Sequence, residues 1–136
     1  MTLTDDCIFC SLSKSKDILY RDEVCYVIPD KYPISKGHVL VVTNRHFVDI
    51  TDADDDTVAH IAVVAKKFAV LSIERLHAEG VNVGTNIGIA AGQAIMHAHI
   101  HVIPRYKGQG RNFNYGKNEE IKQNEKEELK SILVLQ

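Results

Sequence analysis

The sequence predicts an α+β domain: an antiparallel sheet of about five strands, one long helix packed on it, and a further helix near the C-terminal end. Three observations predict it. Residues 96–102 alternate histidine with apolar side chains at a period of two, as a strand with two distinct faces requires. Residues 39–43 form a dense β-branched run, which reads as a buried strand. Residues 54–79 change to helical spacing, opening among aspartates and closing at a glycine.

The elements follow in chain order. Residues 7–12 are a short apolar knot ahead of a polar turn. Residues 18–20 and 24–28 read as a hairpin joined around Arg21-Asp22-Glu23. Pro29 and Pro33 then favour an extended loop, and Gly37-His38 leads into the buried strand at 39–43. Asp52, Asp54, Asp55 and Asp56 crowd the start of the long helix, where negative charge suits the dipole, and Gly80 is a ready stop. His60, Lys67 and Glu74 form a narrow polar stripe, so Val58, Ile61, Val64, Ala65, Phe68, Leu71 and Leu76 cover more surface than one sheet contact needs. The second apolar side belongs either to a subunit interface or to a helix wedged within its own domain. Residues 81–87 resume strand character, and small residues at 88–92 lead into the histidine strand. Residues 106–116 are polar and glycine-punctuated, and a charged helix follows from about 118 to 136.

No internal repeat or linker divides the 136 residues, so residues 1–136 read as a single domain. A formal net charge of −2 offers no electrostatic case for duplex nucleic acid or an anionic membrane. The first residues lack an apolar signal segment, and no apolar run is long enough to span a bilayer. Three cysteines, an odd number, suit a reduced, cytoplasmic protein.

Period two places His97, His99 and His101 on one strand face and Met96, Ala98, Ile100 and Val102 on the other, a core-facing row. A neutral imidazole is a nucleophile, a proton carrier and a metal ligand. The central histidine, His99, is the natural nucleophile, with Nε2 free to attack phosphorus if a backbone carbonyl or a neighbouring imidazole holds Nδ1–H. His101 and Gln93 can supply donors for the phosphate. A different reading makes all three histidines ligands of a catalytic metal, although alternate strand positions are too spread to converge easily. Cys7-Ile8-Phe9-Cys10 is short enough to put two thiolates on one metal, and two histidines would complete a tetrahedral zinc. Cys25 reads as a core thiol, His60 and His77 as solvent-facing or packing residues, and 122–130 as a solvated helix face. Gly108-Gln109-Gly110-Arg111 reads as a flexible connection, and Arg105 as a pin for the strand end.

The segment Gly92-Gln93 through His97-Ala98-His99-Ile100-His101-Val102-Ile103-Pro104-Arg105 resembles the signature of the histidine triad (HIT) superfamily, and the similarity reaches back through Lys36-Gly37-His38, Asp30, Asn86 and Cys7-x-x-Cys10. It covers a core of about 7–106, leaving 107–136 as a C-terminal extension, and is strongest toward the Hint-like nucleotide-binding branch, bacterial zinc-carrying type. The resemblance implies a homodimer that binds a purine nucleotide or nucleotide conjugate. It implies hydrolysis of nucleoside phosphoramidates, adenylyl conjugates or dinucleoside polyphosphates through a nucleotidyl-histidine. His99 is then the nucleophile, His101 and Gln93 meet the phosphate or leaving group, and His38 supports the triad. Asp30 accepts from ribose hydroxyls, Asn86 contacts the phosphate side, and Ile8, Phe9 and Ile28 wall the base. Cys7, Cys10, His46 and His97 would hold a structural zinc that ties the amino-terminal segment to the catalytic strand. Ala94 departs from the family, where a hydroxyl residue is usual and donates to the phosphate or leaving group. A nucleotide-binding regulatory protein with little turnover is the alternative.

Overall fold

The computed structural model describes residues 7–108 and 118–135. Five strands form one antiparallel sheet: β1 Tyr20–Arg21, β2 Cys25–Pro29, β3 Val39–Thr43, β4 Gly80–Gly84 and β5 His99–Arg105. Their spatial order is β1-β2-β3-β5-β4. Three α-helices accompany it among the described residues: α1 Ile8–Leu12, α2 Asp55–Arg75 and α3 Gln123–Ile132. No helix among the described residues is long and apolar enough to cross a membrane.

Alternation sorts the strands into two faces. Cys25, Val27, Val39, Val41, Ile100 and Val102 join Ile61, Val64, Ala65 and Phe68 of α2 in the main core. Tyr26, Ile28, Leu40 and Val42 point the other way and pack with Phe9 of α1. The register sets His99 opposite Val42 and His101 opposite Leu40, so these two histidines share the face turned from α2.

Sequence expectations shift at several places. The first hairpin strand is shorter than 18–20 and lies at Tyr20–Arg21. Helix α2 ends at Arg75, not at Gly80: His77 takes a left-handed conformation at φ 59°, and the Ala78 amide donates to the Ser72 carbonyl at 3.1 Å. That reversal frees Gly80 to pair with Arg105 in β4. Met96 does not join the core-facing row, because β5 begins only at His99; it is 37% exposed, while Ala98, Ile100 and Val102 are buried. Of the apolar residues named above for the long helix, Ile61, Val64, Ala65, Phe68 and Leu71 are buried in the domain's own core, and Val58 and Leu76 are half-buried. The large apolar residues exposed on α2 are Val63, Val70 and Ile73 instead, with Val83 exposed on the edge strand β4.

The C-terminal helix is shorter than the charged run suggested. Leu129 and Leu133 are buried in the main core, so α3 is no freely solvated face. Arg105 Nε donates to Asn82 Oδ1 at 2.7 Å, across the β4–β5 pair. Most of the Gly108-Gln109-Gly110-Arg111 loop lies outside the described residues.

Candidate active site

Strand β5 carries His99 and His101 side by side, ring centroids 5.0 Å apart. Nδ1 of His99 donates to the His97 carbonyl at 2.7 Å, fixing the tautomer and leaving a lone pair on Nε2. Burial disfavours the imidazolium and pulls His99 below its ordinary pKa, opposed by that same carbonyl. The ring is therefore neutral at neutral pH. Phe9 packs edge-on against it, centroids 5.0 Å apart.

A second tautomer is set by a relay. The Ile34 amide donates to His38 Nδ1 at 3.0 Å, so the His38 proton sits on Nε2. That nitrogen lies 2.9 Å from His101 Nδ1 and donates to it, which leaves the His101 proton on its own Nε2. Burial drives both His38 and His101 down to about 3, so the relay is uncharged. Asp30 Oδ2 stands 3.4 Å from His38 Nε2, and Asp30 Oδ1 accepts from the Tyr32 amide at 2.8 Å. Burial raises the Asp30 carboxyl above its ordinary value.

His99, His101, Asp30 and Phe9 line one cavity of about 510 Å³. Its apolar wall comes from Ile8, Phe9, Leu12, Ile28, Leu40 and Ile95. Its polar lining includes Asp30, Asn86, His99 and His101, with Gly92 and Ala94 beside them. Asn86 Nδ2 lies 3.5 Å from the Gly92 carbonyl. The Tyr26 hydroxyl donates to the Phe9 carbonyl, bracing α1 over the histidines.

Gln93 does not present a donor to this cavity. Its Nε2 donates to the Val48 and Ile95 carbonyls at 2.7 and 3.0 Å, and its Oε1 accepts from the Gly88 amide at 2.8 Å. The buried amide braces the loop between β4 and β5. The cavity thus meets Ala94 where a side-chain donor was absent from the sequence, and Gln93 does not replace it.

His97 stands apart from the other two histidines. It precedes β5, and its Nε2 donates to the Thr43 carbonyl at 2.7 Å, turning the Nδ1 lone pair toward the amino-terminal cysteines. Cys7 Sγ lies 3.2 Å and Cys10 Sγ 3.6 Å from His97 Nδ1; Cys10 Sγ is 3.3 Å from His46 Nδ1. All four ligand atoms fall within 4.8 Å of one another. A tetrahedral zinc holds sulfur and nitrogen ligands about 3.5 Å apart, so the cluster has the size and chemistry of a metal site. No metal-compatible cluster among the described residues includes His99, which removes the reading of three histidines on one catalytic metal.

Several contributors escaped the sequence reading. Leu40 was legible in principle, since it alternates with the core residues of β3. His60, expected at the surface or in packing, donates through Nε2 to Asp22 Oδ2 at 2.7 Å and ties α2 to the first hairpin. Lys126 reaches the cavity from α3 and pairs with Asp17 at 3.3 Å. No local pattern announced that contact, since 109 residues separate the partners.

A family model of the HIT domain matches residues 11–108. The chain belongs to the HIT domain family. This HIT chain is 36% identical to a hypothetical histidine triad nucleotide-binding protein of Sulfolobus tokodaii, with TM-score 0.82 over 93% of this chain and 89% of that one. A Zn-bound histidine triad family protein of Mycobacterium smegmatis is 34% identical, with TM-score 0.81 over 94% and 93% of the two chains. Adenylylsulfatase HINT3 of Arabidopsis thaliana is 33% identical over 107 residues, which are 76% of this HIT chain and 54% of the plant protein.

Proposed function

We propose that this HIT protein is a nucleotide hydrolase or transferase that cleaves at the α-phosphate of a nucleoside phosphoramidate, adenylyl conjugate or dinucleoside polyphosphate. The observation that carries the reading is the His99 tautomer, a neutral ring with Nδ1–H held by the His97 carbonyl and His99 lining the cavity. Nε2 of His99 attacks phosphorus, the P–N or P–O bond to the leaving group breaks, and the departing nitrogen or oxygen takes a proton from solvent. Water then attacks the nucleotidyl-histidine, and the N–P bond breaks to return neutral His99 and a nucleoside monophosphate. His101, its proton on Nε2 through the His38 relay, donates to a phosphate oxygen. Asp30 accepts from ribose hydroxyls, Asn86 lies toward the phosphate, and Ile8, Phe9 and Ile28 flank a purine base.

Cys7, Cys10, His46 and His97 would hold zinc, and the Zn-bound Mycobacterium smegmatis relative supports that assignment. A four-ligand zinc supplies structural cross-linking with no vacant position. Nothing in the reaction passes through it. The three cysteines, none in a disulfide, suit a cytoplasmic protein. Exposed Val63, Val70 and Ile73 of α2 and Val83 of edge strand β4 support a homodimer across this side. Residues 1–136 then form one HIT domain, with α3 of the C-terminal extension packed on its core.

Ala94 and the backbone-bound Gln93 amide favour one other reading, nucleotide binding with little turnover, because neither side chain serves the leaving group. The two separate in one experiment. Protein is quenched during incubation with adenosine phosphoramidate, and the peptide containing His99 is weighed by mass spectrometry. An added nucleotidyl mass, absent in His99→Ala, supports the covalent route. Tight binding of adenosine monophosphate with neither adduct nor product supports the regulatory reading.

A further inference from the structure

The cavity carries a charged pair that the proposed chemistry leaves idle. Asp17, just before β1, and Lys126, on α3, both line it and lie 3.3 Å apart. Gln123 Nε2 donates to the other Asp17 oxygen at 3.2 Å. Lys126 lies beyond residue 108, outside the HIT family match, whereas Asp17 lies within it.

Position assigns the pair to one end of the cavity. His99 and His101 stand on β5, Leu40 on β3, Ile28 on β2, and Asp17 precedes β1. The sheet order therefore runs from the histidines across apolar Leu40 and Ile28 toward the charged pair. A nucleotide with its phosphate at His99 extends its base along this course. The base then lies against Ile8, Phe9 and Ile28 with its hydrogen-bonding edge toward Asp17 and Lys126.

We propose that Asp17 and Lys126 read the base edge and select guanine. The inference rests on the nucleotide reading above. A carboxylate offers two acceptor oxygens, each with a second lone pair, and the adjacent ammonium offers donors. Guanine presents N1–H and N2–H₂ as neighbouring donors with O6 as an acceptor beside them. It satisfies both oxygens of Asp17 and the ammonium of Lys126 together. Adenine presents one donor group, N6–H₂, beside the acceptor N1, and leaves one Asp17 oxygen without a bond from the base. Hypoxanthine keeps O6 and N1–H but lacks the N2 amine. Burial raises the Asp17 carboxyl, but the Gln123 amide and Lys126 outweigh it and hold the group below the usual carboxylate value. Asp17 is thus an acceptor at neutral pH.

Calorimetric titration of the full chain with guanosine, inosine and adenosine 5′-monophosphates tests this. The expected order is guanosine tightest, about tenfold over adenosine, with inosine between, since the discriminating bonds involve charged groups. Asp17→Asn and Lys126→Met should each bring the guanosine-to-adenosine ratio toward one, while His99→Ala, changed at the phosphate end, keeps the preference. Thermal melts confirm that each variant is folded, and Lys126→Met preserves the test if Asp17→Asn is unstable. Equal affinities in the unaltered protein, an adenosine preference, or a ratio that neither variant moves would overturn the assignment. Failure of all three nucleotides to bind would instead overturn the nucleotide reading itself, and this inference with it.

Discussion

His99 and His101 differ from solvent imidazoles in a way that pH exposes. Burial lowers His99 below the ordinary value of 6.5, so the proposed nucleophile takes up its proton at lower pH than a free imidazole does. The acid limb of the hydrolysis rate should therefore have its midpoint below 6.5. A loss of rate tracking a midpoint at or above 6.5 would contradict this. Stability follows the same groups. His38 and His101 titrate at 6.5 when unfolded and at about 3 when folded, so the unfolded chain binds more protons between those limits. Their contribution is complete above about pH 6.5 and falls as pH drops toward 3. Asp30, raised by burial, works the other way just above its ordinary 3.8. Two histidines outweigh it, and Asp22, held below its ordinary value by His60 and Tyr20 against burial, adds to the acid loss. Urea unfolding should therefore show a falling midpoint from pH 6.5 to pH 4.

Between β2 and β3, Gly37 sits at φ 89°, and a Cβ there would collide with Leu76 Cδ1 at the end of α2. Its neighbour His38 begins the relay to His101. Gly37→Ala combines a left-handed penalty of about 1–2 kcal/mol with that collision, so a loss of about 2 kcal/mol or more in urea unfolding is expected. Unchanged stability would show that Leu76 yields freely. Helix α1 is a second such element. At five residues it is too short to persist alone, and its hold on the sheet comes through Cys7, Cys10, Phe9 and the Tyr26 bond. Cys10→Ser should lower bound zinc by elemental analysis from about one per chain and accelerate amide exchange in residues 8–12. Because Ile8, Phe9 and Leu12 wall the cavity, nucleotide affinity should weaken by about tenfold as well. Normal zinc content in Cys10→Ser would remove the ligand assignment.

At the scale of the whole molecule, large apolar residues of two neighbouring elements stay exposed among the described residues. Val63, Val70 and Ile73 of α2 and Val83 of β4 remain exposed, and β4 is an edge strand among the described residues. Sedimentation should give a dimer at micromolar concentration, and Ile73→Lys should shift it to monomer without loss of circular dichroism. A monomeric parent protein would reject the homodimer.

Period-two alternation, the β-branched run at 39–43 and the aspartate-led helix made the sheet, its histidine face and α2 legible in the sequence, because each is a local pattern of side-chain direction. The same logic failed where long-range contact decides. Gly80 looked like a helix stop, but pairing with Arg105 drew it into β4, and His77 took the turn. Met96 matched the core row by spacing, yet the strand starts later. Gln93 resembled a phosphate donor until three backbone partners claimed its amide. What the sequence by itself determined is the chemistry available: three histidines in register, a Cys-x-x-Cys pair, and an apolar frame to carry them. Only the tertiary structure decided how that chemistry is divided, sending His97 to the cysteines and His99 to the cavity, and bringing Lys126 to Asp17. Hydrogen-bond direction and contacts between distant segments are properties of packing, and residue order alone does not encode them locally.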